Sequence, residues 1–100
     1  MTPQQVRDAL GIYEKALQGE EAVPVRGDLN AVNPAGKMQR DHLLWMCQET
    51  HKILDHVAGG PGDREDRFIV EKAMRWLGFI QGGLWSQGFY SIEDMKNHNR

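Results

Sequence analysis

Arg75-Trp76-Leu77-Gly78-Phe79-Ile80-Gln81-Gly82-Gly83-Leu84-Trp85 is the stretch on which the reading of this 100-residue chain turns. It holds two of the three tryptophans and three of the eleven glycines inside what otherwise reads as one long helix. At 3.6 residues per turn, Phe68/Ile69, Ala73, Trp76, Ile80 and Leu84 form one apolar stripe, with Leu77 beside it, wide enough to face a core. A second stripe runs Glu71, Arg75, Gly78, Gly82, Trp85: charged at one end, bare in the middle, aromatic at the other. A glycine inside a helix costs about 0.8–1 kcal/mol relative to alanine, so this cluster needs a local reason. Gly78 and Gly82 are four apart and share a face. They form a notch for a neighbouring helix of the same core or of a second subunit, or Arg75, Gln81 and Trp85 line a pocket floored by bare backbone, or the glycines simply weaken the helix. The apolar run is too short for a membrane span, which needs about 20 residues.

Working outward, Asp63 opens this helix, with Glu65 and Asp66 in a first turn where negative charge suits the helix dipole. Gly88 ends it near Gln87. Ser91-Ile92-Glu93-Asp94 caps a last short helix, with Tyr90 and Met95 placed as a hydrophobic staple. Upstream, Ala58-Gly59-Gly60-Pro61-Gly62 is a strong stop, so the preceding helix, about 37–57, returns antiparallel to it. Asn33-Pro34 suits that helix's cap. One of its faces carries Leu43, Met46/Cys47, Thr50, Ile53/Leu54 and Val57; another carries Met38, His42, Trp45 and Glu49. Residues 19–36 are turn chemistry, a long connection of the kind that is often functional. Val23 and Val25 have no strand partner nearby, and Arg26 and Asn33 become ligand contacts if this loop folds over the glycine notch. The first helix, about 3–18, has Thr2, Pro3 and Gln5 as a capping box and Val6, Leu10, Tyr13 and Leu17 as its apolar stripe, with Gly19 as its stop. The expected fold is therefore all-α: one domain, 1–100, built on a long antiparallel helical hairpin (about 37–57 and 63–87), with an N-terminal helix and a short C-terminal helix, about 92–96.

Composition narrows the function. Twelve Lys/Arg against fourteen Asp/Glu give a net charge of −2. No segment forms a basic stripe, so duplex nucleic acid is not an expected partner. The single Cys47 excludes a disulfide framework and fits a reducing compartment. The opening Met1-Thr2-Pro3-Gln4-Gln5 lacks the pattern of a secretory leader, which makes the cytoplasm the expected location and a membrane an unexpected partner. Cys47, His51 and Asp55 share a helical face, but a structural metal site wants four ligands and no second cluster exists. His51 could act as base to a Cys47 nucleophile, yet no oxyanion hole is evident. No P-loop, dinucleotide fingerprint or nucleophile elbow is present. The reading is a non-enzyme without metal or cofactor. Trp76 belongs to the core stripe; Trp45 and Trp85 suit a subunit interface or a stacking surface.

Two segments resemble a group of small proteins of tailed bacteriophages. One is His42-Leu43-Leu44-Trp45-Met46-Cys47 followed by Glu49. The other is Glu71 to Gly82, then Leu84-Trp85, Gly88 and Ile92-Glu93-Asp94-Met95-Lys96 to Asn99. More distantly, the layout is similar to the phage sponge proteins that sequester cyclic-nucleotide alarm signals of antiphage defence. That second likeness is one of size and architecture, so it brings no contact residues with it. It implies a homo-oligomer that holds a nucleotide between subunits. On this expectation Arg75 pairs with phosphate, Trp85 or Trp45 stacks on a base, Gln81 hydrogen-bonds, and Gly78 and Gly82 permit close approach. Two other readings stay open: an inhibitor that binds a host defence protein through the N-terminal helix and loop, and a non-catalytic structural or accessory phage protein.

Overall fold

The computed structural model describes residues 1–32, 36–57 and 64–100. The described residues hold four helices and no strand: α1 (Pro3–Gly19), α2 (Gly36–Leu54), α3 (Arg64–Ser86) and α4 (Ile92–His98). The all-α class follows the sequence reading. The Asn33-Pro34 cap, the Gly-rich stop and the Asp63 start lie outside the described residues. α2 gives up its helical pattern at Leu54 rather than at Val57, and α4 runs two residues further than expected, to His98. No helix among the described residues is long and apolar enough to cross a membrane.

Local chemistry explains the ends. Thr2 Oγ1 accepts from the Gln5 amide at 3.1 Å, and Gln5 Oε1 accepts from the Thr2 amide at 2.8 Å, a complete capping box. Ser91 and Asp94 repeat the device on α4. α1 and α3 both finish in a Schellman reversal. At α3, Gly88 takes φ +78°, and Phe89 N–H returns to the Leu84 carbonyl at 2.9 Å. At α1 the left-handed residue is Glu21, φ 62°, not Gly19, and Ala22 N–H returns to the Leu17 carbonyl at 3.1 Å. Gly19 therefore ends the helix without making the turn.

α2 packs against both α1 and α3, and α1 also touches α3. The core joins Val6, Ala9, Leu10, Tyr13 and Leu17 of α1 to Leu43, Leu44, Met46, Cys47 and Leu54 of α2 and Ala73, Leu77, Ile80 and Leu84 of α3. Each fully buried aliphatic side chain contributes about 1.5–3 kcal/mol. α3 is rotated from the expected stripe. Leu77 is at the core's centre, Trp76 is only partly buried, and Phe68 is 59% exposed with the Arg64 guanidinium 6.0 Å from its ring.

The glycines correct one half of the notch reading, the half that sets a neighbouring helix of the same core at Gly78 and Gly82. A Cβ on Gly78 or Gly82 would meet nothing within 4 Å, so neither admits a neighbouring helix of this core. Gly83 does that work: a Cβ there would lie 2.8 Å from Leu43 Cδ2, so α2 and α3 approach through Gly83.

Candidate functional site

α2 presents Met38, His42 and Trp45 at i, i+4 and i+7, one face of a helix. α3 presents Trp76 and Phe79 at i, i+3. Where these faces meet, Arg26, Leu29, His42, Trp45, Met46, Trp76 and Phe79 line a cleft of about 470 Å³. That lies within the ~300–1,000 Å³ of small-molecule sites, which are mostly apolar with a few placed polar groups. A smaller recess of about 180 Å³ shares Leu29, His42 and Phe79 and reaches Gly27, Asp28 and Met38. Trp45 is the hub. Its ring stacks on His42 with centroids 5.5 Å apart and planes at 28°, and it meets Trp76 at 6.2 Å. The Arg26 guanidinium stands 6.0 Å from the Trp45 ring centroid. Phe79 is 62% exposed at the rim.

The loop after α1 forms the outer wall and is fastened to α2 at two points. Val23 N–H donates to Asp41 Oδ1 at 3.0 Å, while Lys37 Nζ donates to Asp41 Oδ2 at 2.8 Å. These bonds hold the Asp41 carboxyl below its ordinary value, the Lys37 contribution leading. Gly27 N–H donates to His42 Nδ1 at 2.9 Å. An imidazole nitrogen that accepts carries no proton, so the proton of neutral His42 is on Nε2. Burial, and then the Arg26 charge, push the His42 pKa below its ordinary 6.5. His42 is thus a neutral ring that offers one N–H donor beside a cation and three aromatic faces.

The residues expected to form a site separate in space. Trp45 lines the cleft; Arg75, Gln81, Trp85, Gly78 and Gly82 are not among its lining residues. Gln81 is directed elsewhere: its Nε2 donates to Tyr13 Oη at 2.9 Å and to Asn99 Oδ1 at 2.7 Å. Tyr13 Oη also meets His98 Nδ1 at 2.9 Å, so Gln81 helps dock α4 on α1 and α3. Arg75 borders a shallow depression with Glu71 and Met74 on the outer face of α3, and Trp85 is 56% exposed. Arg26 stands over Trp45 rather than over the glycine face, and Asn33 lies outside the described residues. Phe79 and Leu29 had no sequence signal beyond hydrophobicity. His42 and Trp45 had one, their shared helical face.

The Cys47–His51–Asp55 face holds no reactive pair. Cys47 is fully buried, and burial together with the Glu14 charge pushes its thiol up to about 12. His51 is held between α1 side chains, with Nε2 2.6 Å from Glu14 Oε1 and Nδ1 3.0 Å from Arg7 NH1. Asp55 accepts from Arg7 NH2 at 2.6 Å. Among the described residues no group of three or more His, Cys, Asp or Glu could hold a metal ion. In comparisons with known proteins, no family model, curated protein or solved structure matches the chain.

Proposed function

We propose that this chain is a phage counter-defence protein that sequesters a nucleotide signal in the host cytoplasm, seating the base in the Trp45 cleft of an α2/α3 antiparallel hairpin. One observation carries the reading: a ring-lined cleft, Trp45, Trp76, Phe79 and His42, with a cation, Arg26, beside its central indole. Flat aromatic ligands stack on such faces, at about 1–3 kcal/mol per base. The Arg26 guanidinium suits a phosphate, and the His42 Nε2–H suits a carbonyl or phosphate oxygen. The resemblance to small phage proteins supplies the setting. Capture of a signal needs binding without turnover, and the cleft lining offers no activated nucleophile.

The test is calorimetry and tryptophan-fluorescence titration with a panel of mononucleotides and cyclic dinucleotides. One class is expected to bind, with Trp45→Ala reducing affinity about thirtyfold through lost stacking and Trp85→Ala leaving it unchanged. Absence of binding across the panel at millimolar ligand refutes the proposal. Binding that survives Trp45→Ala and fails in Trp85→Ala moves the seat to the outer face of α3.

A second reading, inhibition of a host defence protein by direct contact, is favoured by the exposed apolar side chains of the loop, Val23, Val25, Leu29 and Val32. It predicts one stoichiometric partner in a pull-down from host lysate, lost when those four are changed to serine.

A further inference from the structure

We infer that two copies of this chain pair through the outer faces of their α3 helices, antiparallel and centred at Ile80. The observation is a symmetry in the register of that face. Gly78 and Gly82 stand two positions before and after Ile80, and Arg75 and Trp85 stand five positions before and after it. All four are exposed, with Trp85 at 56%. Among the described residues Arg75 makes no ion pair or hydrogen bond, and a Cβ on either glycine would meet nothing. The face therefore bears an unpaired cation at one end and a bare indole at the other, and it bears helix-weakening glycines that its own fold does not use.

Turn a second copy end over end about an axis perpendicular to α3 at Ile80. Gly78 then meets Gly82 of the partner subunit, and the backbones approach as only glycine allows. Arg75 comes level with the partner subunit's Trp85, about 7.5 Å along the helix from the centre at 1.5 Å per residue. The same contact forms a second time by symmetry, as an isologous interface requires. A guanidinium over an indole face is the strongest common cation–π pair, so the surface is electrostatically complementary to itself. Met74 flanks the face and is exposed, at 38%, supplying apolar area. A parallel pair would instead set Arg75 against the partner's Arg75 and leave both indoles without a cation. This inference concerns a different side of α3 from the Trp45 cleft and does not depend on what that cleft binds.

The experiment is size-exclusion chromatography with light scattering over a range of protein concentrations. The wild type is expected at twice the 11.4 kDa chain mass. Gly82→Leu is expected to weaken association by more than about tenfold while the thermal midpoint, read at a dilution where the wild type is dissociated, holds or rises, since leucine is the better helix former and its side chain enters open space. That second readout separates loss of pairing from loss of fold. Trp85→Arg should weaken association about tenfold, and adding Arg75→Trp to it should restore association, because exchanging the two residues preserves an antiparallel register. A wild type that remains monomeric at hundreds of micromolar overturns the inference. So does a dimer indifferent to Gly82→Leu, or an exchanged pair no better than Trp85→Arg alone.

Discussion

His42 and His51 lie on the same helix, both half-buried, and each accepts a hydrogen bond at Nδ1, yet they do opposite things. His51 is sealed. Arg7 reaches one ring nitrogen and Glu14 the other, so the ring is a rivet between α1 and α2. His42 is held at Nδ1 by Gly27 alone, makes no described bond at Nε2, and faces a cleft of aromatic rings. The difference lies in what crosses α2 on each side. A helix supplies charged side chains at fixed positions, which close the site. A loop supplies a single backbone amide, which leaves half the ring available. Satisfied polar networks build structure, whereas half-satisfied groups in a concave apolar setting are where ligands bind.

The largest effect that separates the two is expected at the sealed ring. His51→Ala leaves Glu14 half-buried without its partner and should cost about 1–3 kcal/mol, read as a shift of the urea midpoint at constant m-value. Ligand affinity should not move. His42→Ala should cost less stability, about 1 kcal/mol for one hydrogen bond to a neutral ring, yet weaken ligand binding about tenfold by removing both a donor and the ring that supports Trp45. If the two variants behave alike in both assays, the contrast between rivet and receptor site is wrong.

Acid should open the cleft in two stages. His42 has its folded pKa below 6.5, so the unfolded or released state takes up the proton first as pH falls. The stability this ring contributes is complete above pH 6.5 and is lost as pH drops from there through the folded value. Protonated Nδ1 would point its own hydrogen at Gly27 N–H, so the loop should detach. Asp41, held below its ordinary 3.8, keeps Val23 in place until pH falls below that value. Protection of the Gly27 amide, measured against its intrinsic exchange rate at each pH, should therefore fall as pH drops below 6.5, while protection of Val23 persists until pH falls below 3.8. Simultaneous release of both amides near pH 6 would show the wall to be one cooperative unit.

Much of the fold was legible because its determinants are local. Thr2/Gln5 and Ser91/Asp94 are three-residue spacings, and the α1 stripe of Val6, Leu10, Tyr13 and Leu17 is a run of threes and fours. Rotation of α3 was harder. Phe68 and Trp76 outweighed Leu77 by size, while the structure puts the smaller side chain at the centre and leaves the aromatics at the edge. The role of Gly83 was recoverable, since it follows Trp76 by seven and Ile80 by three and so shares the apolar side. The candidate site was half legible. His42 and Trp45 announce a face of α2, but the residues that complete it, Arg26 and Leu29, sit on a loop without periodicity. The Gln81–Tyr13 bond joins positions 68 apart, and no pattern along the chain links them.

The smallest expected effect concerns where that loop begins. Glu21 adopts φ 62°, a conformation that costs a residue with a Cβ roughly 1–2 kcal/mol and costs glycine nothing. Gly88 fills the equivalent position at the end of α3. Glu21→Gly removes the strain but adds backbone freedom to the unfolded chain, so the net gain should be about 0.5–1 kcal/mol. For a domain of this size that is a rise of roughly 2–8 °C in Tm. The substitution touches neither histidine, and it leaves the Ala22-to-Leu17 bond in place. Affinity for the ligand should therefore stay constant while stability rises. If affinity climbs with stability, the start of the loop and its fastening at His42 move together. The open side of α2 would then be as tightly built as the sealed one, and its openness a matter of occupancy rather than of construction.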